Sequence, residues 1–375
     1  MHEHEDLHAV LNKNIPLKEK FVGTHEVIKR LFPSIARIAI AIYDPATSIL
    51  KTYLHSSEDA EPLNNYQASL DDAPSLKQVL EQGRPRVINN MLTFEDVGHE
   101  HTQRIGRAGY AASYTMPMFN NGIFFGFVFF NSYEVDSFTP EVLHELDPIG
   151  HMISLLVINE LEAVRTLTAA IKTAGHIGHM RDPETGSHMD RMSRFSRLIA
   201  AKLAQEYALD DDYIEHIFMF SPLHDIGKIG IPDQILLKPG KLTEQEMQVM
   251  RTHAAKGREM IDELLKNFAL DSFSYVDVLR NIAAYHHEAI NGSGYPEGKR
   301  GEQIPLEARI VAVADVFDAL TSSRPYKEAW TNERAFAALQ QMAGQKLDSL
   351  CVAALVSSCE EVEKIQQQFQ EDPIG

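Results

Sequence analysis

The hydrophobic pattern divides the chain into two regimes. In the first, SIARIAIAIYD (34–44) alternates small, apolar and polar positions, Asp44-Pro45 turns the chain, and SILKTYLHS (48–56) follows with strand-type residues. That period of two predicts a hairpin. SYTMPMF, NNG and IFFGFVFFNS (113–132) predict another, because Asn121-Gly122 supplies the positive φ that a tight hairpin turn needs. APSLKQVLEQG (73–83) predicts a short helix closed by glycine. The expected product is an antiparallel sheet with helices packed on it.

From Thr139 the period lengthens to three and four. TPEVLHELDPIGHMISLLVINELEAVRTLTAAIKTAG (139–175) carries no strand signal, and Pro148 is expected to kink or restart its helix. Ile153, Val157, Leu161, Val164, Leu167 and Ile171 fall on one helical face. Such a face fits a helix packed on its own domain, and equally a signalling helix that pairs with its copy in a homodimer. From about residue 176 onward the periodic segments are helical to the end. The expected architecture is multidomain: an α+β domain over 1–145, a connecting helix over 146–175 and an all-α domain over 176–375.

Composition narrows the chemistry. The 375 residues are 44% hydrophobic and 23% charged, as in globular proteins, with a net charge of −18. That charge argues against a general duplex nucleic-acid or anionic membrane surface, so an anionic substrate needs metal ions or a few placed cations. Two cysteines, Cys351 and Cys359, build neither a disulfide framework nor a cysteine-rich zinc site and suit a reducing compartment. With no apolar signal region in MHEHEDLHAV and no run approaching a membrane span, a cytoplasmic protein is expected. His2 and His4 are read as part of a solvated terminus.

Eight of the seventeen histidines lie at or beyond His176, and several sit beside carboxylates. RDPETGSHMDRM offers Glu184 and His188, four apart; LHDIGKIGIPD offers His224, Asp225 and Lys228; MRTHAAKG offers His253; AYHHEAINGSGYP offers His286 and His287; VAVADVFDALTSSRPYK offers Asp315 and Asp318, with Arg324 and Lys327 beyond. Asp315 among Ile310, Val311, Val313 and Val316, and Asp225 between Leu223 and Ile226, are carboxylates in apolar settings, which are costly unless paired or metal-bound. His176, His179 and His216 are read as structural. Five imidazoles and three carboxylates without cysteine suit iron, manganese, cobalt or zinc, and eight ligands serve two or three ions. A carboxylate such as Asp225 bridges two ions, and a hydroxide between them is aimed at an electrophile.

The loop NGSGYPEGKRG (291–301), with Gly292, Gly294, Gly298 and Gly301, reads either as a tight surface connection or as backbone brought close to an anion or flat base. Tyr295 offers a π-face or a hydrogen bond, and Lys228, Arg324 and Lys327 offer positive charge. Together they point to phosphodiester hydrolysis of a nucleotide.

RDPETGSH, LHDIGKIGIPDQILLKPGKLT, HHEAINGSGYPEG and IPLEARIVAVADVFDALTSSRPYKEAW resemble the HD-GYP family of cyclic di-GMP phosphodiesterases over roughly residues 165 to 350. The resemblance implies a helical HD fold, metal-dependent hydrolysis to pGpG and then GMP, and two or three transition-metal ions, iron or manganese foremost. It implies His188, His224, Asp225, His253, His286, His287 and Asp315 as ligands. It further implies Lys228 as a phosphate contact, and Tyr295, Gly294, Arg324 and Lys327 in the substrate site. Glu184 stands where the family often has tyrosine and resembles the three-metal subgroup; the alternative is a helix cap. Asn291 replaces a common aspartate that starts the same turn, and GQKLDSLCVAAL (344–355) lacks the family's usual Phe and Pro, which puts local packing there in question. Residues 1–145 resemble a GAF sensory domain without a chromophore cysteine; its ligand stays open among a small molecule, a cyclic nucleotide and none. Hydrolysis of a mixed GMP–AMP cyclic dinucleotide, a receptor without turnover and a metal-free scaffold are the competing expectations.

Overall fold

The computed structural model describes residues 6–57, 67–91, 108–179, 186–267, 275–322 and 329–370. The chain forms two compact units, Met1–Ala163 and Val164–Gly375.

The first unit is built on a six-stranded antiparallel sheet in the order β3-β2-β1-β6-β5-β4. Its strands are β1 (Ile35–Asp44), β2 (Ile49–Ser57), β3 (Gln67–Ser69), β4 (Arg86–Ile88), β5 (Ala112–Asn120) and β6 (Ile123–Ser132). Both expected hairpins form. Asn121 and Gly122 take φ of 49° and 81°, the pair of left-handed residues that matches the strand twist. The period of two in β1 separates two buried faces. Ala39 and Ala41 lie under helix α2 (Pro74–Gln82), whose Leu76 and Val79 pack with them and with Phe127 and Phe129. Ile38, Ile40 and Ile42, on the other face, are buried as well. Helix α1 (Leu17–Leu31), which buries Phe21, Val27 and Ile28, packs on β1 and β2. Gly83, at φ 58°, closes α2 as expected.

Helix α3 (Pro140–His179) runs on through Pro148, which neither ends nor restarts it. Proline removes one intrahelical hydrogen bond. Here that loss is outweighed because Leu146, Ile149, Ile153, Val157 and Leu161 are all buried along the same stripe. Val164 continues that stripe; the side chains of Leu167 and Ile171 lie outside the described residues. The boundary between the units falls inside this helix.

The second unit is helical: α4 (Gly186–Tyr207), α5 (Asp211–Phe220), α6 (Asp233–Leu236), α7 (Glu244–Arg251), α8 (His253–Asn267), α9 (Val276–Tyr285), α10 (Leu306–Thr321), α11 (Asn332–Met342), α12 (Ser349–Val356) and α13 (Cys359–Gln368). Helices α4 and α10 cross at its centre, where Phe195 meets Phe317 edge-on at 5.2 Å and Phe317 stacks on Phe336 at 5.1 Å. The 344–355 segment packs soundly: Leu347, Cys351, Val352 and Leu355 are buried, and Asp348 caps α12 through the Leu350 and Cys351 amides.

Candidate metal centre

Five separate elements deliver ligand-type side chains to one place. His188 lies in the first turn of α4, and Asp315 lies on α10, which packs against it. His224 and Asp225 occupy the link between two 3₁₀ turns, Ser221–Leu223 and Ile226–Gly230. His253 opens α8, while His286 and His287 follow the last turn of α9. The approach of the second 3₁₀ turn to α8 requires glycine. A Cβ on Gly227 would overlap the His253 carbonyl oxygen and lie 2.5 Å from Gly257 N.

The ligand atoms fall into two groups. Asp225, His253, His286 and His287 form one, and His188, His224 and Asp315 the other; within each, the ligand atoms lie within 4.8 Å of one another. Asp225 stands between them. Its Oδ2 is 3.3 Å from His224 Nε2, and its Oδ1 is 3.0 Å from His253 Nε2 and 3.5 Å from His286 Nε2.

Backbone carbonyls fix the ring tautomers. His224 Nδ1 is 2.9 Å from Ser221 O, His253 Nδ1 2.8 Å from Met250 O and His286 Nδ1 2.9 Å from Ile282 O. A carbonyl only accepts, so in a neutral ring Nδ1 carries the proton and Nε2 presents a lone pair. His253 Nε2, His286 Nε2 and Asp225 Oδ1 are buried and make no hydrogen bond. Lone pairs that face a carboxylate at 3.0–3.5 Å repel unless a cation lies between them. The donors therefore fit a metal ion.

Protonation states agree with that fit. Burial pushes the Asp225 carboxyl up, but the charge of the Lys228 ammonium at 2.8 Å holds it well below the usual carboxylate range. Burial pushes His286 and His287 down, against the pull of Asp225. An ionised carboxylate and neutral imidazoles are the forms that ligate metals.

The sequence singled out Asp315 as the buried carboxylate, and here the structure differs. Asp315 is half-buried, and Asp318, one turn on, is fully buried. Asp318 accepts from Arg191 Nε (2.6 Å) and Nη2 (3.0 Å), Ser322 Oγ (2.9 Å) and His188 Nδ1 (2.7 Å). Those bonds outweigh burial and keep its carboxyl below the ordinary range. His188 is thus oriented by a carboxylate where three other histidines are oriented by carbonyls. Sequence reasoning offered Asp318 beside Asp315 but not as the partner of His188, and it missed Arg191, although each stands three residues, one helical turn, past a candidate ligand.

Of the two readings of the glycine loop, its hydrogen bonds support the tight connection. Its amides serve the loop itself: Gly292 N donates to Ala289 O, Ser293 N to Asn291 Oδ1, Tyr295 N to His287 O and Gly301 N to Ile290 O. Glu297 N and Gly298 N donate to Glu288 Oε1 at 2.7 and 3.0 Å. A Cβ on Gly294 would overlap Ala289 N and lie 2.5 Å from Glu288 Cα, so internal packing accounts for glycine there. Asn291 starts the turn, as expected of it. The loop sets Tyr295 with its ring 4.8 Å from His287, and the Arg251 guanidinium, a cation that sequence reasoning missed, lies 5.4 Å from the Tyr295 ring.

Among the remaining residues, His216 is buried in the α5 region, with Nδ1 2.8 Å from Asp212 O, and belongs to neither group. Glu184, Arg324 and Lys327, with His2 and His4, lie outside the described residues, as do the side chains of His176 and His179.

Residues 183–350 match the family model for the HD domain. That match lies within the helical C-terminal unit, whose fold is of the HD type. Its relatives are cyclic dinucleotide phosphodiesterases. The cyclic di-GMP phosphodiesterase response regulator RpfG of Xanthomonas campestris pv. campestris is 49% identical over 189 residues, 50% of this chain and 47% of that protein. A cyclic di-GMP phosphodiesterase of Thermotoga maritima is 38% identical over 189 residues, 50% of this chain and 48% of that protein. The 3'3'-cGAMP-specific phosphodiesterase 2 of Vibrio cholerae is 39% identical over 181 residues, 48% of this chain and 33% of that protein. The chain spans about half the length of the first of these relatives. Among solved structures, the GAF domain/HD domain protein of Geobacter sulfurreducens matches at 14% identity and a TM-score of 0.33, over 41% of this chain and 97% of that one. No helix among the described residues is long and apolar enough to cross a membrane.

Proposed function

We propose that the chain is a regulated, metal-dependent phosphodiesterase that hydrolyses cyclic di-GMP to pGpG and GMP. The observation that carries this reading is the meeting of two His/carboxylate groups at Asp225. His188, His224 and Asp315 would hold one ion, His253, His286 and His287 a second, with Asp225 shared and Glu184 adding a ligand for a third. Nitrogen and oxygen donors without thiolate suit iron, manganese, cobalt or zinc, and the family resemblance puts iron or manganese foremost. Such ions, when bound, acidify water and draw charge from a phosphoryl oxygen.

The chain's own residues supply the rest. Lys228, held on Asp225 at 2.8 Å, brings positive charge to the phosphate. Tyr295, on the loop that Gly294 lets fold tightly, offers a ring for a guanine to stack on, and Arg324 and Lys327 extend the phosphate contacts. Buried walls around His224, His253 and His286 exclude competing water. The N-terminal unit regulates the site, and helix α3 pairs with its copy in a homodimer.

Purified, metal-loaded protein incubated with cyclic di-GMP should yield the linear dinucleotide, and His224→Ala/Asp225→Ala should lose both metal and turnover while the N-terminal unit stays folded. Tight binding with no product under iron, manganese or cobalt would make the protein a receptor and overturn the proposal. A mixed GMP–AMP cyclic dinucleotide is the second substrate to test, because a relative specific for it is 39% identical over 181 residues. Glu184→Ala should lower metal stoichiometry by about one ion.

A further inference from the structure

The N-terminal sheet carries a polar band that the hydrolytic site does not use. Residues directly opposite in antiparallel strands share a face. Arg86 opposes Thr115 and Ile88 opposes Ser113; Ser113 opposes Asn131, and Asn131 opposes Arg37. Arg86, Thr115, Ser113, Asn131 and Arg37 therefore lie on one face across β4, β5, β6 and β1. The same face continues through Phe129 and Phe127 to Ala39 and Ala41, the apolar end that packs with α2.

The band has more donors than acceptors. Arg37 Nη1 donates to Asn131 Oδ1 at 3.4 Å, and Asn131 Nδ2 donates to Ser113 Oγ at 3.1 Å. Ser113 accepts in that bond and keeps its own hydroxyl proton to give. The Thr115 hydroxyl is buried without a hydrogen bond, on a residue only 1% exposed. Opposite it, Arg86 Nε is buried without a hydrogen bond, and no carboxylate among the described residues pairs with that guanidinium. A buried donor left unmade costs about 1–3 kcal/mol, and more when charged. Ordinary sheet packing would place an apolar or β-branched residue opposite Thr115.

We propose that this band binds the oxyanion of a small organic acid or phosphate ester. Arg86 supplies the charge, Thr115 and Ser113 supply hydroxyl donors, and Phe129 lies beside the ligand's apolar body. Guanidinium beside two hydroxyls matches the geometry of carboxylate and phosphate alike. In a chain of net charge −18, only such a local cation draws an anion to the unit. The proposal stands apart from the chemistry of the HD domain.

The test uses the full chain labelled with ¹⁵N-arginine, the Arg86 Nε–H signal being assigned by its loss in Arg86→Gln. Sodium acetate and sodium phosphate are titrated at constant ionic strength against sodium chloride. A saturable shift of the Arg86 signal with acetate identifies a carboxylate ligand, and with phosphate a phosphate ligand. In either case the probe should raise the melting temperature of the wild type more than that of Arg86→Gln, with Arg86→Lys in between. An Arg86 signal that follows neither anion, or equal stabilisation of wild type and Arg86→Gln, would overturn the assignment.

Discussion

Replacing Asp318 by asparagine separates the orientation of a ligand from the presence of a ligand. The residue belongs to neither ligand group; it holds His188 Nδ1 at 2.7 Å and takes two bonds from Arg191 at 2.6 and 3.0 Å. Asparagine keeps the shape, loses the charge and turns one acceptor into a donor that faces either His188 N–H or the guanidinium. Breaking a buried ion pair costs about 3–5 kcal/mol. Arg191 keeps Phe369 O at 2.9 Å and Ser322 Oγ at 2.7 Å, which puts the loss at the lower end, about 3 kcal/mol, and leaves a foldable domain. Loss of an outer-sphere partner lowers metal affinity about 10–100-fold, or about 1.4–2.8 kcal/mol. That loss should fall on the His188–His224–Asp315 group, because His253 and His286 are held by carbonyls that the substitution leaves alone. Manganese titration followed by electron paramagnetic resonance should show one weakened ion and one of native affinity, and urea denaturation should show the lost stability. Arg191→Met in the same chain should restore part of the stability, since an uncompensated charge is removed, but none of the metal affinity. Native affinity for every ion in Asp318→Asn would refute the reasoning; so would recovery of metal binding in the double variant.

Three further outcomes follow from the geometry. Gly227→Ala should force the 3₁₀ turn off α8 and part Asp225 from His253, so metal content falls by about half or more while circular dichroism keeps the helical signal; an unchanged metal content would show that the helix can yield. Glu288→Ala removes the acceptor of the Glu297 and Gly298 amides and frees the loop that carries Tyr295, so KM should rise about tenfold with a smaller change in kcat; a fall in kcat alone would place Glu288 in the chemistry. Burial raises the Asp348 carboxyl, but amide bonds at the start of α12 and Arg309 at 2.6 Å hold it below its ordinary value. Its stabilisation is complete above the unfolded carboxylate pKa of about 3.9 and is lost as pH falls through the lower folded value. Asp348→Asn should therefore cost about 2 kcal/mol at pH 7 and progressively less below pH ~4 in urea titrations; a gap constant with pH would remove the charge from the account.

Much of the fold was legible because it rests on local physics. The Asn121-Gly122 turn, the Gly83 stop and the isoleucines of β1 each act through a residue's own backbone preference or its near neighbours, and each appears where the pattern places it. Pro148 does not restart the helix, because its penalty is local while the compensating stripe of buried side chains is not. The ligand types at His188, His224, Asp225, His253, His286, His287 and Asp315 were equally visible, and all seven fall in one of the two groups. Their partners were not. Asp318 reads like any acid on a helix, and only the packing of α4 against α10 turns it into the brace of His188. The loop's glycines fitted a tight connection or a ligand's approach alike, and only the folded backbone shows them used in packing against Glu288, Ala289 and His287.

By itself, then, the sequence determined the elements, their order, and an inventory of imidazoles and carboxylates too rich for a purely structural domain. What only the tertiary structure decided is distance and orientation: that residues from 188 to 315 meet within a few ångströms, which nitrogen each ring turns inward, and that Arg86 faces Thr115 with no carboxylate among the described residues to pair with. The reason is physical. Turn geometry and periodicity are set by interactions a few residues long, while convergence depends on how whole helices and strands pack, and no single segment carries that term.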